Sequence, residues 1–80
     1  MDDNQIRDAI DRMVAEEHEL RTLHLRGPID AGHAQRLSQL ADSLDQSWDL
    51  LRQRRARREF GLDPDDVGLR DTAIVGHYRQ

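Results

Sequence analysis

Two groups of side chains in this sequence could do chemistry. One is a set of three histidines, His18, His24 and His33, lying among carboxylates. The other is a run of arginines, Arg52, Arg54, Arg55, Arg57 and Arg58, preceded by the single tryptophan, Trp48. Histidines beside carboxylates raise the question of a metal, but the spacing answers against one. Structural zinc usually takes four ligands, and only His24 and His33 are expected to face each other, near a turn. His18-Glu19-Leu20-Arg21-Thr22 comes close to the helical zinc-protease pattern. Thr22, however, stands where that pattern needs its second histidine. The Glu-x-x-His spacing of di-iron bundles is also missing. The cysteine count is zero, so no disulfide, thiolate ligand or thiol nucleophile exists. There is no glycine-rich phosphate loop and no nucleophile beside a base. Asp45 and Asp49, one turn apart, read as an exposed helix face. The expectation is therefore a protein that is not an enzyme and carries no metal or cofactor.

The arginines invite a nucleic-acid reading, because phosphate backbones demand positive charge along one face. These arginines surround their helix, and Asp63, Asp65, Asp66 and Asp71 follow closely, so they are expected to pair with the acidic first helix, the acidic tail or a partner's carboxylates. The net charge of the chain is -4. A nucleic-acid accessory role is thus the alternative. The first expectation is protein contact, with Trp48, Arg54, Arg55, Arg57 and Arg58 as its residues. Glu17 joins them as a carboxylate on an otherwise apolar seam. It either escapes to water or fixes register or oligomeric state through His24, His33 or an arginine.

The elements that position these residues follow from periodicity. Eighty residues make one small domain. Ile6, Ile10, Met13, Glu17, Leu20 and His24 recur at spacings of four and three, which predicts a helix over about 4–26. Asp2, Asp3 and Asn4 offer its N-cap. Gly27-Pro28 stops it, with Gly27 suited to a left-handed cap, and Asp30 can cap the next helix. Leu37, Leu40, Leu44, Ser47, Leu51 and Arg54 form a second seam within a helix over about 31–60, closed by Gly61. The short loop 27–30 makes the pair an antiparallel, coiled-coil-like hairpin. Its expected register sets Leu20 against Leu37, Met13 against Leu44, Ile6 against Leu51 and Asp3 near Arg54. Residues beyond about Arg55 then overhang the first helix without a partner within the hairpin. The hairpin domain is 1–62, and 63–80 reads as an acidic, irregular tail with Ile74, Val75 and Tyr78 as a small apolar group.

Val14, Leu23, Ala41, Trp48 and Leu50 widen the apolar stripe beyond what two helices cover. The tail, a partner protein or a second copy must cover it. The favoured expectation is a homodimer forming a four-helix bundle, with the basic overhang docking an unidentified protein partner. No apolar run is long enough for a membrane span, and the start Asp2-Asp3 is unlike a basic leader, so the expected location is the cytoplasm.

The motifs also resemble a known family. Met1-Asp2-Asp3, Val14-Ala15-Glu16-Glu17-His18, the run Leu44-Asp45-Gln46-Ser47-Trp48-Asp49-Leu50-Leu51-Arg52-Gln53-Arg54-Arg55-Ala56-Arg57-Arg58, and Asp63-Pro64 are similar to short actinobacterial proteins grouped as a domain of unknown function. The resemblance runs from Met1 to about Asp66. Ser47 stands where a Cys is associated with that family, which speaks further against a thiol role. The resemblance implies a single domain in a bacterial cytoplasm, and no activity or ligand.

Overall fold

In a computed structural model of the chain, residues 1–75 are described; Tyr78 and its expected apolar role lie outside them. The order is α1 (Asp3–Leu25), α2 (Ala31–Glu59), a 3-10 turn (Pro64–Asp66) and one turn of helix, α3 (Thr72–Val75). The shape is a rod with principal extents of 50 × 24 × 18 Å.

Each long helix begins where a side chain can replace the missing backbone acceptor. At α1 the cap is reciprocal. Asp2 Oδ1 accepts from the Gln5 backbone N–H at 2.8 Å, and Gln5 Oε1 accepts from the Asp2 backbone N–H at 2.9 Å. At α2, Asp30 accepts from the His33 backbone N–H at 2.8 Å. The two ends differ. α2 closes in a Schellman motif: Leu62 N–H donates to Arg57 O and Gly61 N–H to Arg58 O, with Gly61 at φ 68°. α1 does not use a left-handed cap, contrary to the expectation for Gly27. Arg26 ends it in right-handed geometry, with backbone bonds to Leu23 and His24, and Gly61 is the one glycine with positive φ among the described residues. Pro28, which lacks the N–H a helix needs, suffices as the stop.

α1 and α2 pack antiparallel along the expected seam. Ile6, Ile10, Leu44 and Leu50 form the buried cluster, flanked by Met13, Trp48, Leu51 and Val67. This brings Ile6 with Leu51 and Met13 with Leu44 into one group, and Asp3 Oδ1 sits 2.6 Å from Arg54 Nε. Nearer the loop Leu20 and Leu40 are buried, while Leu37 is half-exposed. Glu16 and Arg36 tie the helices there by paired bonds of 2.5 and 2.9 Å.

After Gly61 the chain turns back and runs along α2 as a strap, residues 63–75. Part of the cover for α2 is therefore intramolecular: Val67 reaches the core cluster. Asp45 and Asp49, expected on an exposed face, are buried instead. Helical geometry explains why. Asp49 lies far around α2 from the α1 seam, on the side the strap occupies, so α2 is the middle layer of three.

Candidate functional site

The arginine run and the strap form one polar structure at the open end of the hairpin. Arg54 belongs to the α2 seam and is buried. Its guanidinium joins three segments: Nε donates to Asp3 on α1, and Nη1 donates to Pro64 O at 3.1 Å and to Asp65 at 2.7 Å. Arg58 approaches Asp3 from one turn further on, with Nη2 2.7 Å from Oδ2. Arg57 donates to Asp63 O at 3.0 Å and pairs with Asp66 at 3.3 Å. Arg55 meets Glu59 on its own helix at 3.0 Å. The arginines beyond Arg55, expected to lack a partner within the hairpin, are paired: Arg58 with Asp3 of α1, and Arg57 with Asp66 of the acidic tail. A buried guanidinium needs its donors met, and the strap's aspartates turn back to meet them.

The charges act on one another accordingly. Asp3 has its carboxyl lowered from 3.8 to about 2, chiefly by the hydrogen bonds from Arg58 and then Arg54. Arg54 also holds the Asp65 carboxyl below its ordinary value, and Arg54 itself is raised by Asp3 and then Asp65.

Further along α2 a second clamp holds the strap. Arg70 grips Asp49 with both arms of its guanidinium, Nε donating to Oδ2 at 2.8 Å and Nη2 to Oδ1. Asp49 is 0% exposed. Gln53 Nε2 donates to Asp49 Oδ2 at 2.8 Å and to Gly68 O at 3.1 Å, and Gln46 Nε2 donates to Arg70 O at 3.0 Å. Gln46, Asp49 and Gln53 stand at i, i+3 and i+7, on one face of α2. Sequence reasoning placed none of the three in a site. The available signal was that polar face itself, with no seam role, and an arginine downstream able to answer its carboxylate.

The remaining candidate residues divide. Trp48 is half-buried against the core, and its indole N–H is buried without an acceptor among the described residues. Glu17 is half-buried and pairs with Arg21 one turn on at 3.7 Å. It forms no ion pair with His24 or His33 among the described residues. His33 instead lies 3.3 Å from its own cap, Asp30, and His24 is exposed at the loop. Among the described residues no three His, Asp or Glu come together as a ligand group, and no helix is long and apolar enough to cross a membrane.

The fold and these clamps define a small all-helical protein, a two-helix hairpin strapped by its own C-terminal segment. The chain belongs to the family described as protein of unknown function DUF2630, whose model matches residues 2–80. It is 43% identical over 67 residues to the uncharacterized protein Rv0898c of Mycobacterium tuberculosis, covering 82% of this chain and 77% of that one. The same identity and coverage relate it to the uncharacterized protein Mb0922c of Mycobacterium bovis. No solved structure gives a significant match.

Proposed function

We propose that this chain is a non-enzymatic helical interaction module that pairs with a second copy through the outer side of its strap. The supporting observation is how the strap is attached. Its Arg70, Asp65 and Asp66 pair with side chains of α2, and none of its residues in the 3-10 turn or α3 is buried. Its larger apolar side chains are left outside: Leu69 is 63% and Ile74 67% exposed. Leu62 and Phe60, exposed at the turn into the strap, extend the same segment. Four exposed apolar side chains follow one another along this one stretch of chain, which favours a contact surface there.

A two-fold contact needs only one self-complementary patch. A second copy related by a two-fold axis would lay Leu69 and Ile74 of one strap against the same residues of the other, covering apolar surface that is exposed in the single chain. Nucleic acid is the weaker reading, since Arg54, Arg57 and Arg58 already have carboxylate partners within the chain.

Sedimentation equilibrium across the micromolar range tests the proposal. The expected result is a dimer that Leu69→Asp converts to a monomer with unchanged helix content. A wild-type chain that stays monomeric throughout, or a Leu69→Asp variant that dimerises equally well, overturns it. Tightening of an added oligonucleotide at low salt, lost steeply as salt rises, would mark the nucleic-acid reading instead.

A further inference from the structure

The underside of the strap carries a different inference, independent of its outer face. We infer that the strap side of α2 is a peptide-recognition groove, occupied in the resting chain by the protein's own strap. A partner protein with an extended acidic-x-apolar-x-x-Arg segment would displace that strap.

The contacts have the character of ligand recognition. Five side chains of α2 address the backbone of the strap or its one cation: Arg54 and Arg57 donate to Pro64 O and Asp63 O, and three more act further along. Gln53 donates to Gly68 O, Gln46 donates to Arg70 O, and Asp49 receives both arms of Arg70. Bonds to main-chain carbonyls hold any extended segment, whatever its side chains. Selectivity then rests on few positions. Val67 is chosen for apolarity, because it packs against the core cluster. Position 70 is chosen for a planar guanidinium, because a fully buried carboxylate bound by two parallel N–H donors demands arginine and not lysine. Position 65 is chosen for acid, because Arg54 waits for it. Positions 68 and 69 are unread. A Cβ added at Gly68 meets nothing within 4 Å, and Leu69 points to solvent.

The strap is also a weak resident. Only Val67 among residues 63–75 packs on the core. Its hold is electrostatic and partly solvent-exposed, and such bonds are modest and screened by salt. What favours the strap is its tether. A short connection supplies an effective concentration on the order of millimolar, so a free competitor binds the wild-type chain poorly until the strap is loosened.

The test is fluorescence anisotropy with a labelled synthetic peptide of residues 63–75 added to the full chain. The chain variant Arg70→Ala loses its own clamp but keeps Asp49, Gln46 and Gln53. We expect it to bind the peptide at least tenfold more tightly than the wild-type chain does. The same peptide carrying Arg70→Gln, or Val67→Asp, should show no saturable binding to that variant. Circular dichroism confirms that the variant keeps its helices. If it does not, Val67→Ala in the full chain supplies a loosened strap with the Asp49 clamp intact. Failure of a folded, loosened chain to bind the wild-type peptide overturns the inference. So does equal binding of the wild-type and Arg70→Gln peptides, since the groove would then not read arginine. Neither result bears on self-association, which sedimentation reads separately.

Discussion

The two sides of α2 are held by different physics. Toward α1, Ile6, Ile10, Leu44 and Leu50 exclude water and fix register by shape. Toward the strap, Asp49, Gln53, Gln46 and Arg54 hold residues 63–75 by charge and hydrogen bonds, with Val67 as the main apolar contribution. Apolar packing is insensitive to pH and, to first order, to moderate salt, whereas charged clamps weaken under both. One helix therefore carries a permanent partner on one side and a conditional one on the other. The chain should lose its strap well before it loses its hairpin.

The most damaging way to break the comparison is to attack the seam. Leu44 is 0% exposed and central to the cluster. Leu44→Ala removes its contacts and leaves a void, at a cost of about 3–4 kcal/mol. Chemical denaturation should show a loss of that size in a single transition involving both helices. A loss near zero, or a change confined to the strap, would mean the two sides are not separate in the way described.

The hairpin was legible because its signals are local and redundant. The Ile6–Ile10–Met13 and Leu40–Leu44–Leu51 spacings, the Asp2 and Asp30 caps and the Gly61 stop all point to the same arrangement. The ion pair between Asp3 and Arg54 was legible for the same reason, since the register of the seam places them together. The strap clamp was not. Asp45 and Asp49 look like solvent-facing acids, because an aspartate is rarely buried without a partner. The partner of Asp49, Arg70, lies 21 residues away across a turn whose direction no periodicity records. Val67 alone is too little apolar content to announce a packed segment. The arginine run was misjudged at one point for a related reason: the register alone left no partner beyond Arg55, whereas the long Arg58 side chain reaches back to Asp3 of α1 and the returning chain meets Arg57.

A milder perturbation addresses the polar side directly. Asp3 joins α1 to Arg54 and Arg58, and Arg54 continues to the strap through Asp65. Asp3→Asn keeps the shape but removes the charge, and should cost about 1.5 kcal/mol, the lower end of the range for hydrogen bonds to charged groups at a partly exposed site. The pH dependence has a definite sign. The folded Asp3 carboxyl is depressed to about 2, so its contribution is complete above the unfolded value near 4. It disappears as pH falls from about 5 toward 2. Melting curves over that window should fall more steeply for the wild type than for Asp3→Asn. Parallel curves would show that the carboxylate does not stabilise the folded state through these arginines.

The smallest effect returns to the seam side and tests whether it depends on shape alone. Trp48 packs its ring against the core, yet its indole N–H is buried with no acceptor among the described residues. A buried donor without a partner carries its desolvation penalty in the folded state. Trp48→Phe removes that donor and most of the penalty while keeping an aromatic ring in place. It also removes part of the ring's apolar area, which acts in the opposite direction. The two terms oppose each other at similar size, so the net change in stability should lie within about 1 kcal/mol of zero. Trp48→Ala, which discards the ring altogether, should cost about 3 kcal/mol. A Trp48→Phe loss as large as that of Trp48→Ala would mean the indole nitrogen is bonded in solution, and that the seam too holds by polar contact.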